Sequence, residues 1–222
     1  MPDDKLDQPG PLHGDAPARV TLGSVERLGD GFRPYERHHF TMEGPDGAPH
    51  AYNRDLLRAG DVVGVLTVDL SRREVVLIRQ FRLAGHLATG RGELVEMVAG
   101  RVDPGETARD CALRECYEEI GLAPRRIASI MSFLLAPALA DELMSLWLAE
   151  IDARDLPVLA GHADEGEVIR PFRASFEAAF GLLDQRVLTF APLIIALQWL
   201  RLNEGRLEDV LSATATGTDA RP

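Results

Sequence analysis

Cysteine is scarce in this chain, and base is scarcer than acid. Cys111 and Cys116 are the two thiols in 222 residues. Both fall on one predicted helix with diverging directions, so a disulfide between them is excluded, and no His/Cys set completes a zinc site. They are expected to be small core fillers, and the pair fits a reducing cytoplasm. The 24 Lys and Arg stand against 35 Asp and Glu, a formal net charge of −11. That balance argues against a nucleic-acid backbone as main partner, which needs clustered base. It leaves room for an anionic small molecule, because bridging metal ions and a few local arginines can hold one. Long apolar runs are missing too. The longest, near Phe190 to Leu200, is too short to span a bilayer and contains Gln198, so no membrane partner is expected. No signal peptide is visible in the polar, Pro/Gly-rich opening MPDDKLDQPGPLHGDAP, and a cytoplasmic location is expected.

What is present describes an ordinary folded protein: 45% hydrophobic and 27% charged residues, enough for one domain with an appended piece. The most informative stretch is GRVDPGETARDCALRECYEEIGL, Gly100 to Leu122. From about Ala108 to Ile120 it predicts a helix, free of Pro and Gly and closed by Gly121. Leu113, Cys116, Tyr117 and Ile120 recur at helical spacing and predict its apolar stripe. Glu115 and Glu119 share another face, with Glu118 beside them. Like charges at that spacing repel by a few tenths of a kcal/mol per pair. A solvated acidic face is the ordinary meaning of such a pattern. Crowded carboxylates also suit a hard divalent cation, Mg²⁺, Mn²⁺ or Ca²⁺ rather than zinc.

Along the rest of the chain, residues 1–18 have the composition of a disordered tail. Residues 19–57 alternate short β-like segments with turn signals such as Gly44-Pro45-Asp46-Gly47, and predict an antiparallel extension. Asp61 to Leu70 and Glu74 to Arg82 read as a buried hairpin, and Leu83 to Gly92 as a loop. ELVEMVAG brings a short strand to the Gly100 stretch. RIASIMSFLL and LMSLWLAEI predict two further strands. SFEAAFGLL with its Ser cap and APLIIALQWLRLNEG with Pro192 in its first turn predict two helices. Residues 58–207 form the main domain in this reading, and 208–222 a loose tail. The order gives an α+β, or mixed α/β, layered fold.

The Gly100 stretch resembles the signature G-x5-E-x7-R-E-U-x-E-E-x-G-U of the Nudix hydrolases, where U is a bulky apolar residue. Its fixed letters fall on Gly100, Glu106, Arg114, Glu115, Glu118, Glu119 and Gly121, with Cys116 a small residue at the first U. The resemblance implies a Nudix α/β/α sandwich and a loop–helix–loop that holds Mg²⁺, or Mn²⁺, against a pyrophosphate. It further implies Glu115 and Glu119 as metal ligands with the Ala99 carbonyl, Glu118 as a catalytic helper, and Glu106 with Arg114 as a shaping ion pair. Glu96 either assists the metal or fixes its strand.

Beyond that stretch, Val20 to Asn203 resembles the bacterial ADP-ribose pyrophosphatases and relatives acting on nucleotide sugars. ELVEMVAG, Pro137, the acidic ADEGE of Ala163 to Glu167, and IIALQWLRL carry this likeness. It implies Glu165 as general base and Glu167 as a further metal ligand, roles these two and Asp164 could exchange. It implies substrate contacts at Arg54, Asp55, Arg82 and Glu142, with Arg79 a further candidate. It also implies a nucleoside diphosphate sugar as substrate and a homodimer in which the N-terminal strands reach the partner. Ala136-Pro137-Ala138-Leu139 departs from the glycine-containing turn of that subgroup, which leaves GDP-mannose as a rival substrate. A nucleotide sensor without catalysis is the rival of a different class.

Overall fold

The protein is described here by a computed structural model covering residues 14–44, 46–161 and 168–213. The chain divides into two compact units, 1–58 and 59–222. The first is a three-stranded antiparallel meander of β1 (Val20–Asp30), β2 (Pro34–Glu43) and β3 (Pro49–Leu57). Irregular register between Leu22 and Val25 and between Arg27 and Gly29 bends β1 against β2. Glu36 gathers Arg27, Arg58 and His38 on this sheet, and Arg37 forks onto Asp55.

The second unit is built on one mixed sheet. Strands β4 (Asp61–Asp69) and β5 (Glu74–Phe81) pair antiparallel, but only at Thr67–Val76, Val68–Val75 and Asp69–Glu74. Beyond those pairs the hairpin splits. Strand β6 (Glu93–Glu96) takes β5 from Ile78 to Phe81, and β7 (Val98–Arg101) takes β4 from Val62 to Val65. The split therefore receives the segment that leads to the Gly100 stretch. On its other edge β4 runs parallel to β9 (Leu143–Glu150), which pairs with β8 (Arg126–Leu134), while β10 (Arg170–Ser175) lies outside β5.

Alternate side chains of β4 and β5 feed two cores. Val63, Val65, Val76 and Ile78 pack with Cys111, Ala112, Cys116 and Ile120 of helix α2 (Ala108–Ile120). Leu66, Val68, Val75 and Leu77 pack with α3 (Phe176–Asp184), α4 (Ala191–Asn203) and α5 (Leu207–Ala213). One helix on one face and three on the other make the α/β/α sandwich expected from the sequence. Both cysteines are free and buried within the α2 core.

Two expectations need correction. Leu83 to Gly92 is not all loop, since helix α1 occupies Leu83–Thr89. Its glycine is the reason for both readings: a Cβ on Gly85 would lie 3.2 Å from Leu94 Cδ1, so the residue that suggests a loop lets a short helix sit close to β6. Residues from 208 are not simply a loose tail either. Helix α5 is held by Leu207 and Leu211, each 3% exposed. Among the described residues no helix is long and apolar enough to cross a membrane.

Candidate active site

Local signals set α2 in place. Thr107 caps it, its Oγ1 accepting from the Asp110 backbone N–H at 3.1 Å, and Gly121 closes it at φ 67°. The expected stripe holds at Cys116 and Ile120, with Leu113 packed against the same core, but fails at Tyr117, and the buried face takes in more than that stripe. Cys111, Ala112, Glu115, Cys116, Glu119 and Ile120 face inward, while Tyr117 is 68% exposed. Residues 111, 115 and 119 share one side of a helix, as do 112, 116 and 120. The two glutamates thus belong to the buried side, and ranking by apolarity assigned that side to Tyr117.

Their neighbours are the backbone of β7. Glu119 Oε2 accepts from the Ala99 N–H at 3.0 Å. A Cβ added to Gly100 would stand 1.8 Å from Glu115 Oε1, so only glycine lets strand and carboxylate approach this closely. Glu115 is 8% exposed and Glu119 4%. Arg114 binds the remaining acids. Its Nη1 donates to Glu115 Oε1 at 2.7 Å and Glu118 Oε2 at 2.8 Å, and its Nε donates to Glu106 Oε1 at 3.0 Å. Its Nη2 reaches Glu106 Oε2 and the Arg101 carbonyl, both at 3.1 Å. The Arg114 contact, helped by the Asp103 N–H, holds the Glu106 carboxyl below the usual carboxylate range. Arg114 is itself pushed further toward its cationic form, first by Glu106. Burial drives the thiols of Cys111 and Cys116 upward, which keeps both protonated and unreactive.

The other candidates are spread more widely. Glu96 is fully buried on the α2 side of the sheet, and Arg82 forks onto it at 2.8 and 2.9 Å, with Gln80 donating at 3.3 Å. That geometry anchors the end of β5 to β6. Arg54 and Asp55 lie on β3; Arg54 Nη1 donates to the Asn53 carbonyl, and Asp55 is paired to Arg37. Glu142 is half-buried beside the turn that carries Pro137. Its neighbour Asp141, which the sequence did not single out, accepts from the Ala59 N–H at 2.7 Å and the Gly60 N–H at 3.3 Å, fixing the entry to β4. Arg79 lies on the α4 side of the sheet, away from α2. Glu165 and Glu167, with Asp164, lie outside the described residues.

Among the described residues no three acidic, His or Cys side chains form a finished metal cage. The donor set nevertheless fits a divalent cation. Two nearly buried carboxylates offer hard oxygens beside a strand backbone whose Gly100 leaves no side chain in the way. An acidic helix face with an arginine counter-ion suits chemistry in which a divalent metal helps cut phosphate anhydrides.

The comparisons with known proteins agree. The NUDIX domain model matches residues 59–150. The "ADP-ribose pyrophosphatase" of Escherichia coli strain K12 is 37% identical over 191 residues, 86% of this chain and 91% of that protein. The "GDP-mannose pyrophosphatase" of Cronobacter sakazakii is 30% identical over 163 residues, 71% of this chain and 82% of that one. A crystal structure of an ADP compounds hydrolase superposes with a TM-score of 0.64 at 21% identity, covering 87% of this chain and all of the other. At that identity it speaks for the fold. The chain belongs to the Nudix family, and it is a hydrolase of that family.

Proposed function

We propose that this protein hydrolyses the pyrophosphate bond of ADP-ribose to AMP and ribose 5-phosphate, with Mg²⁺ or Mn²⁺. The observation that carries the reading is the pair Glu115 and Glu119, buried against Ala99 and Gly100, in a chain that aligns with nearly the whole of an ADP-ribose pyrophosphatase. Glu115, Glu119 and the Ala99 carbonyl would hold the cation, with Glu167 as a further ligand. When bound, it neutralises pyrophosphate oxygens and acidifies water. The chain's residues do the rest. Arg114 ties Glu106, just before the helix, to Glu118 in its last turn, so the loop from Gly100 holds its shape. Glu165 takes the proton from water as general base, and Glu118 assists. Arg82, oriented by Glu96, grips phosphate or terminal ribose, the β3 residues Arg54 and Asp55 contact the base, and Glu142 is a further substrate contact. The N-terminal meander serves a homodimer.

GDP-mannose is the second reading, favoured by Ala138 in the turn after Pro137 and by the Cronobacter relative. The longer and closer match to the ADP-ribose enzyme favours the first. Product formation from equal concentrations of ADP-ribose, GDP-mannose, ADP-glucose and NADH tests it, with Glu119→Gln as control. Preference for ADP-ribose and a dead variant are expected. A preference for GDP-mannose would move the substrate; binding of ADP-ribose without turnover by the wild type would leave a sensor.

A further inference from the structure

A cavity of about 520 Å³ opens on the α4 side of the sheet, between β6, the Gly90–Gly92 turn and the end of α3. It is separated from Glu115 and Glu119 by the sheet itself, because those glutamates belong to the α2 face. Its volume falls within the range of small-molecule sites, roughly 300–1,000 Å³. Two arginines are among the residues that line it, Arg79 and Arg91. In a chain of net charge −11 most arginines are matched to carboxylates, yet among the described residues neither of these makes an ion pair. Arg79 is held in place by other means: its Nη1 donates to the Glu93 carbonyl at 3.3 Å, and its guanidinium sits 5.9 Å from the centre of the Phe172 ring. Glu93 is the one acid in the lining, and its carboxylate is already engaged by Arg170 at 3.2 Å. The opposite wall is apolar, made by Leu182, Val187 and Leu188.

We infer that this cavity binds a small organic phosphate, its phosphate between Arg79 and Arg91 and its organic body against Leu182, Val187 and Leu188. Two guanidinium forks offer more donors than one carboxylate can accept, whereas a phosphate monoester presents three oxygens and nearly two charges. The apolar wall has no use for a bare inorganic ion. The site would work without the divalent metal, since none of its groups is a carboxylate facing inward unpaired.

AMP and inorganic phosphate are the probes. Each is titrated into the full chain in a chelating buffer and followed by calorimetry, for the wild type, Glu119→Gln, and the double variant Arg79→Gln with Arg91→Gln. Thermal unfolding verifies that the double variant is folded; both arginines are exposed, so it should be. AMP is expected to bind the wild type and Glu119→Gln alike, and the double variant more weakly by about tenfold or more, the weight of a single charge-assisted hydrogen bond. Equal affinity in the double variant overturns the inference. So does absence of AMP binding, loss of it in Glu119→Gln, or inorganic phosphate binding as tightly as AMP.

Discussion

Gly100 and Glu106 do different work at the residue scale. The missing side chain of Gly100 is what lets Glu115 Oε1 stand over β7. Gly100→Ala should displace that carboxylate by the width of a methyl group and lower turnover by about 10²-fold, the effect of misplacing a reacting group by an ångström. Steady-state kinetics beside a thermal melt would check it, since the melt should move far less than the rate. Glu106 belongs to stability. Its folded-state pKa lies below the unfolded value, first through Arg114, so its contribution is complete above the ordinary glutamate range and is lost as pH falls through the folded value. Urea midpoints measured from about pH 6 down to about pH 3 should fall in the wild type and fall less in Glu106→Gln. Identical slopes would remove Glu106 from the acid response.

Helix α2 carries a prediction about which of its faces counts. Ile120→Ala should cost about 2–5 kcal/mol in chemical denaturation, as deletions in packed cores do. Tyr117→Ser should change stability by less than about 0.5 kcal/mol, despite the apolar spacing that linked the two residues. Comparable losses would show that Tyr117 is covered in the working protein. The C-terminal end of this helix was legible because Gly121 is a capping residue whose chemistry is local. Its rotation was not. A helix that buries Glu115 and Glu119 breaks the rule that charged residues point outward, and the rule is what sequence reading relies on. Likewise β4 and β5 announced themselves by β-branched runs, while their splitting around β6 and β7 depends on pairing partners far along the chain. Helix α1 was hidden by Gly85, whose small size matters only once Leu94 lies against it. The signature residues could be read from their likeness to the Nudix pattern; Asp141 and the Arg79–Arg91 cavity could not, because nothing local marks them.

For the whole molecule, the 1–58 unit sets the next expectation. Among its described residues none is buried, and three strands need an apolar face packed against something to be stable. Val20, Leu22 and Val25 on β1 are among its exposed apolar side chains. Light scattering on the purified protein should therefore give twice the 24.3 kDa chain mass. Leu22→Asp with Val25→Asp should shift it toward the single-chain mass; a monomeric wild type would retire the dimer.

Arg114 has one consequence for how the protein can be handled. Because it already lies against Glu106, Glu115 and Glu118, the repulsion among these acids is relieved inside the molecule, by a charge that cannot be dialysed away. Treatment with a chelator should abolish turnover while leaving the melting temperature of the full chain within a few degrees of its untreated value, which a paired thermal scan would show. Folding and activation are then separable steps. The enzyme can be stored stripped, as an inert folded protein, and started at a chosen moment by adding salt of the right metal.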